Sequence, residues 1–232
     1  MSFLIPVIIL VILTYTIYGF IKIETELYEF SITSDIEKIE TKNTYGYSNF
    51  ITEKEKRILL DFIKKNLSLF GERSNNTELL ATVQDIPGYP KKLIDKLRNR
   101  IIKLEKIEKY YPDLIHQDAI SIIYDGGYHD YHKDMNYLYW ILVRYNIILS
   151  EPNSGGISVY GDETNKWREN IIWKCVAGLI KHGVTMVEGE KPRIVLCLGF
   201  MIPLKDLQKN LNNKKVKDFV ELPEDLRYME PI

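Results

Sequence analysis

The chain has 232 residues, 45% of them hydrophobic, and a formal net charge of −1. That length suits one domain with a substantial core, and a charge so close to zero argues against a nucleic-acid binder, which needs a basic footprint for phosphates. Two cysteines and four histidines exclude a CxxC…CxxC zinc module and a disulfide-stapled mini-domain. Cys175 and Cys197 lie in apolar runs and read as buried thiols, with one bond between them left open for an oxidising compartment.

Phe3 to Ile21 carries no charged residue. A helix of that length, at about 1.5 Å per residue, just crosses a hydrocarbon core of about 30 Å, and Tyr15 and Tyr18 near one end suit the interface. A cleaved signal peptide would want a basic start and small residues at its end, so residues 1–22 are expected to be a retained single-pass transmembrane anchor in the lipid bilayer. Orientation is weakly determined, because Lys22 is the sole flanking basic residue before Lys38. Two acceptor tripeptides, at Asn66 and Asn75, tilt the expectation toward a lumenal or extracellular catalytic domain. Residues 23–50 are polar and read as a stalk, and 51–232 as the folded domain.

Thr52 and Glu55 form a capping-box pattern ahead of Ile58, Leu59, Phe62, Ile63 and Leu67 at helical spacing. After the turn Asp85–Pro90, a second helix is expected over Lys91–Glu108, its basic residues a solvated face interleaved with acids. Beyond Pro112 the texture changes to short strands at Ala119–Tyr124, Tyr139–Leu149, Gly156–Tyr160, Ile171–Val176, His182–Val187 and Arg193–Met201, separated by turn signals. Helices first and strands afterwards point to an α+β fold with a sandwich or barrel of strands. The tail from Lys205 is polar and expected to cover an edge or a helix.

His132 and Asp134 stand two apart after a Gly-rich turn. Alternate side chains of an extended chain share a face, so the imidazole and the carboxylate can converge on one ion. His182 opens a later strand and is a candidate third ligand, which would complete the two-His, one-carboxylate set of non-haem Fe(II) oxygenases. Taken alone, the HxD pattern also fits a polar surface strand. Asp130 shares parity with His132 and is an alternative to Asp134, whereas His129 in a regular strand points away. His116 reads as a surface or helix-end residue. Arg193 leads a strand whose Val195, Cys197 and Gly199 share its face. A guanidinium at the mouth of an apolar interior calls for an anion, and a dicarboxylate chelating the metal at one end would meet it with the other. Lys191 is the alternative cation, placed in a turn. Arg144, inside an apolar strand, calls for an ion-pair partner.

The segment Tyr124–Asp134 (YDGGYHDYHKD), followed by Arg144–Leu149, Gly155-Gly156 and His182-Gly183…Gly189…Arg193, resembles the Fe(II)/2-oxoglutarate-dependent dioxygenases, and most closely their prolyl 4-hydroxylase-like branch. The resemblance covers about Ala119 to Pro203. It implies a double-stranded β-helix (jelly-roll) core supported by amino-terminal helices. It also implies Fe(II) held by His132, Asp134 and His182, and 2-oxoglutarate held by Arg193 with Tyr124 near its carboxylate end. The implied reaction is hydroxylation of a peptidyl, prolyl-like residue by dioxygen with release of succinate and CO2, and L-ascorbate as reductant. An Arg at 193 departs from the Lys common in animal-type prolyl hydroxylases, and Ile157-Ser158-Val159 departs from the usual continuation after the Gly-Gly turn. Two rival expectations keep the fold: the same cofactors acting on a lipid, a small molecule or an alkylated base, and a catalytically silent, membrane-tethered binding module.

Overall fold

The computed structural model of the protein describes residues 35–72, 77–113, 118–136 and 140–210. Phe3–Ile21 and His116 lie outside the described residues, and no helix within them is long and apolar enough to cross a membrane. The chain divides after Glu37, and the compact unit that begins at Lys38 carries the elements described here.

In chain order these are β1 (Glu37–Glu40), β2 (Tyr45–Ser48), α1 (Glu53–Lys65), β3 (Gly71–Glu72), β4 (Glu78–Thr82), α2 (Gly88–Glu105), β5 (Tyr111–Pro112), β6 (Ala119–Ile123) and β7 (His129–His132). There follow β8 (Trp140–Ser150), β9 (Ser154–Gly155), β10 (Ser158–Tyr160), β11 (Glu163–Asn165), β12 (Ile172–Cys175), β13 (His182–Val184), β14 (Val187–Glu188), β15 (Arg193–Pro203) and α3 (Leu204–Asn210). The large sheet runs β1-β2-β12-β8-β15-β6-β4-β3 with β5 beside β15, and a smaller one runs β11-β10-β13-β7. One cavity takes side chains from β4, β6, β8, β12 and β15 of the first and β7 and β13 of the second. The core is therefore jelly-roll-like, with the cavity between its two sheets.

The helices cover the other face of the large sheet. On β8, Tyr145 points away from the cavity and donates its hydroxyl to Glu105 at the end of α2 (2.8 Å). On β15, Phe200 lies under the Arg98 guanidinium of α2 at 4.6 Å. Alternation thus divides each long strand between a helix-facing and a cavity-facing set. Tyr45, Tyr47 and Lys174 converge on the same Glu105. Burial alone would raise that carboxyl, but Lys174 and the three hydroxyls outweigh it and hold it below its ordinary range.

The latter part of the segment read as a stalk belongs to this sheet. Tyr47 and Gly46 pair with Ile172 and Trp173, and the Glu163 carboxylate accepts from Thr41 Oγ1 (3.1 Å) and Asn43 N–H (2.9 Å). A strand of four mixed residues has no period-2 pattern to read. α2 begins at Gly88 rather than Lys91, because Pro90 sits in the first turn, where a missing N–H leaves nothing unpaired. Its cations are largely engaged: Arg98 pairs with Asp118, and Arg100 with Glu55. Cys175 and Cys197 are both free. They stand on strands either side of β8, about 10 Å apart at ordinary strand spacing and so beyond disulfide reach.

Glu55 serves two elements. It completes the capping box of α1, accepting from Thr52 N–H (3.0 Å) while Thr52 Oγ1 accepts from Glu55 N–H (3.2 Å). It also receives the buried Arg100 guanidinium at 2.9 Å. Glu55→Ala removes the cap and strands a buried cation, and should lower stability by about 3–5 kcal/mol, read as a shifted urea midpoint. Glu53→Ala, on an exposed carboxylate of the same helix, should change it by less than about 1 kcal/mol.

Candidate functional site

His132 ends β7, Asp134 follows it, and His182 opens β13, directly opposite His132 in register. One ligand atom from each lies within 4.8 Å of the others. His132 donates Nδ1–H to the Asp130 carbonyl (2.6 Å), and His182 donates Nδ1–H to the Ile180 carbonyl (3.2 Å). A carbonyl can only accept, so in each neutral ring Nδ1 carries the proton and Nε2 offers a lone pair. Those lone pairs face the Asp134 carboxylate, at 3.2 Å from His132 and 3.9 Å from His182. Acceptors therefore face acceptors, and a cation among them relieves the repulsion. Burial lowers His182 to about 4, which keeps it neutral and ligand-ready at ordinary pH. Two imidazoles and one carboxylate on one side of an ion are the donor set of non-haem iron(II), so the residues fit that metal.

Asp134 is held from behind. Arg144 on β8 donates Nε–H to Asp134 Oδ2 at 2.7 Å and Nη2–H to Asp113 Oδ2 at 3.1 Å. Burial opposes its charge, but Asp134 and Asp113 outweigh that and hold Arg144 above its ordinary value. The expected ion-pair partner of Arg144 is thus the candidate ligand itself, with Oδ1 left for an ion. Gly199, opposite Arg144 in register, makes room for Asp113: a Cβ there would stand 2.6 Å from the Asp113 Cβ. Asn136 secures the loop carrying Asp134, donating to the Gly178 carbonyl (2.8 Å) and accepting from Leu142 N–H (3.1 Å).

His129 does not point away. Val184 pairs with His129 and His182 with His132, so three steps on β7 match two on β13. This bulge turns His129 to the cavity side, with its ring 4.8 Å from that of His132. Gly183 permits the bulge, since a Cβ would meet the His129 carbonyl oxygen at 2.8 Å. His129 Nδ1 lies 3.6 Å from the buried Glu78 carboxylate rather than with the three converging groups. Asp130 contributes its carbonyl, not its side chain.

Arg193 lies at the other end of the cavity, buried, with Nε–H donating to the Gly156 carbonyl (3.1 Å) and Nη2–H to Ser158 Oγ (3.2 Å). No carboxylate among the described residues reaches its guanidinium for an ion pair, and burial, only partly offset by the Glu78 carboxylate in the same cavity wall, lowers it to about 10. Ser158, also buried, lies outside the cavity lining and supports the guanidinium, a contact the sequence did not single out. Lys191 stands half exposed on Glu169 at 2.7 Å, away from the cavity. Tyr124 is not among the cavity-lining side chains. β6 ends at Ile123, which takes the wall position, and Tyr124 enters the turn with its N–H on the Thr77 carbonyl (2.9 Å).

No protein-family profile matches the sequence, and no curated protein matches it. Solved structures do match. A viral collagen prolyl hydroxylase from Paramecium bursaria Chlorella virus-1, in its 2-oxoglutarate complex, aligns with a TM-score of 0.52 at 17% identity, over 72% of this chain and 96% of that one. A Pseudomonas putida prolyl-4-hydroxylase aligns with a TM-score of 0.52 at 13% identity, over 69% and 92%. A Trichoplax adhaerens prolyl hydroxylase, in complex with a hypoxia-inducible-factor peptide fragment, aligns with a TM-score of 0.52 at 13% identity, over 82% and 95%. The chain therefore has the fold of the 2-oxoglutarate/Fe(II) oxygenases. Within that class its fold is prolyl hydroxylase-like.

Because His182 is depressed from 6.5 to about 4 on folding, its neutral form favours the folded state fully above pH 6.5. That contribution is lost as pH falls from 6.5 through about 4. Thermal unfolding of the metal-free protein should show stability declining across this window. His182→Gln should flatten the decline, and an unchanged slope would mean that the ring is not the group that titrates.

Proposed function

We propose that this protein is an Fe(II)- and 2-oxoglutarate-dependent dioxygenase that hydroxylates a peptidyl, prolyl-like residue and releases succinate and CO2. One observation carries the reading: a cavity of about 270 Å³ with three convergent metal-ligating groups at one end and, at the other, a buried guanidinium that no carboxylate among the described residues bonds. A dicarboxylate that chelates an ion satisfies both ends at once.

His132 Nε2, Asp134 Oδ1 and His182 Nε2 would hold the ion, leaving one side of it open. Bound iron(II) supplies the dioxygen activation and C–H oxidation that no side chain here can perform. Arg193 receives the distal carboxylate of the co-substrate, its guanidinium held in place by the Gly156 carbonyl and Ser158 Oγ. Arg144 fixes the orientation of Asp134 and balances its charge. The apolar wall of Ile123, Val184 and Val195 keeps water from the reacting centre. The peptide found in the Trichoplax neighbour supports a peptide substrate, and the near-neutral charge disfavours an alkylated base. The uncharged run Phe3–Ile21 supports a single-pass membrane anchor ahead of this domain, and L-ascorbate is the reductant proposed with it.

Arg193→Ala should raise the 2-oxoglutarate requirement for succinate release by about a hundredfold or more, since stripping one partner from a buried charge pair costs about 3–5 kcal/mol. Iron binding should survive that change and be lost in His132→Ala, Asp134→Ala and His182→Ala. Mass spectrometry of proline-containing peptides incubated with iron and 2-oxoglutarate should find a gain of one oxygen. Succinate release insensitive to Arg193→Ala would sink the co-substrate assignment, and peptides left unmodified beside brisk succinate release would redirect the search to lipids or small molecules. A chain beginning at Asp35 should partition to the soluble fraction with turnover intact, and the full chain to membranes.

A further inference from the structure

Strand β8 turns Leu142, Arg144, Asn146 and Ile148 toward the cavity side, as Arg144 and Asn146 in its lining show. Leu142 and Ile148 are apolar and buried, and Arg144 is paired on both sides. Asn146 is different. It is 8% exposed and lines the cavity, yet its side-chain amide makes no hydrogen bond among the described residues. Its register neighbours offer no remedy. Cys197 on β15 is a weak partner, and Trp173 on β12 has a buried indole N–H that itself lacks one. Its amide therefore opens onto the cavity alone. A carboxamide between Leu142 and Ile148 thus points to something that enters the cavity.

Its position says what enters. Arg144, two residues away on the same face, touches the candidate ligand Asp134. Cys197, the register partner of Asn146, is four residues from Arg193 on β15, about 13 Å at ordinary strand rise. The guanidinium's reach and a five-carbon dicarboxylate together span that interval. An acid anchored at Arg193 therefore brings its metal-binding end beside Asn146. We infer that Asn146 grips the metal-proximal end of the 2-oxo acid, its Nδ2–H donating to the carboxylate next to the keto carbon. The inference rests on the dioxygenase reading and adds a co-substrate contact on the strand between Arg144 and Ile148.

Isothermal titration on the full chain loaded with Mn(II) in place of iron, without turnover, tests it. Two probes separate the ends of the site: 2-oxoglutarate carries both, and oxalate only the chelating one. Asn146→Leu should weaken both probes about tenfold and leave Mn(II) affinity unchanged. Arg193→Ala should weaken 2-oxoglutarate alone. The thermal midpoint of Asn146→Leu should equal or exceed that of the wild type, because the amide bonds to no other described residue of the fold, whereas a structural role predicts a fall. Asn146→Ser, which is smaller, gives the same contrast where Leu does not fit. Unchanged binding of both probes overturns the inference, as does a loss confined to 2-oxoglutarate, which would place the amide at the distal end. A wild-type chain that binds Mn(II) but neither probe contradicts the dioxygenase reading instead.

Discussion

Two backbone carbonyls set the chemistry of this cavity. By taking the Nδ1–H of His132 and of His182, they leave both Nε2 lone pairs turned on the Asp134 carboxylate. Three acceptors at such distances are a standing electrostatic penalty unless a cation lies among them. Much of the surrounding structure serves to hold that arrangement. The β7–β13 pairing sets the imidazoles opposite each other, the Asn136 bonds fix the loop that carries Asp134, and Arg144 occupies the oxygen that an ion does not need.

The two buried arginines of the large sheet show how partners decide roles. Arg144 lies between Asp134 and Asp113, so its charge is spent within the fold and it acts by orienting a ligand. Among the described residues Arg193 is bonded by a carbonyl and a hydroxyl and by no carboxylate; Glu78 acts on it only from a distance, so burial still pulls it down to about 10 and an incoming anion is favoured there. Interchanging the two sets of neighbours would interchange the roles, although both are guanidiniums on adjacent strands facing one cavity.

Much of this was legible in the sequence. Strands β6, β8, β12 and β15 announce themselves because each is an apolar run bounded by turn residues, and alternation alone places Arg193, Val195 and Cys197 on the cavity side. In contrast, β7, β9 and β11, polar and two to four residues long, carry no such signal, and the expected strand His182–Val187 divides into β13 and β14. The HxD spacing keeps Asp134 within reach of His132, although β7 ends at His132 and the loop bonds of Asp134 N–H to the Ala177 carbonyl and of Arg144 to its carboxylate complete the placement. What was not legible depends on register and on partners distant in the chain. One extra residue in β7 reverses the side taken by His129, and no residue type marks that bulge except Gly183 on the facing strand. The Asp113–Arg144–Asp134 chain joins three elements that only the folded sheet makes neighbours. Tyr124 misses the cavity wall because alternation, which turns Ala119, Ser121 and Ile123 toward it, points the next residue away. Tyr45–Ser48 joins the large sheet by pairing with β12, a contact that a four-residue strand does not signal.

The central claim is that one ion and one 2-oxo acid occupy this cavity together. Anaerobic addition of iron(II) and then 2-oxoglutarate to the full chain, followed by visible spectroscopy, tests it without a substrate. An Fe(II)–2-oxo acid chelate has a charge-transfer band that neither component shows alone. That band should grow to one equivalent of each, vanish in Asp134→Ala, and require far more 2-oxoglutarate in Arg193→Ala. A chain that binds iron at His132, Asp134 and His182 yet develops no band at saturating 2-oxoglutarate would contradict the account.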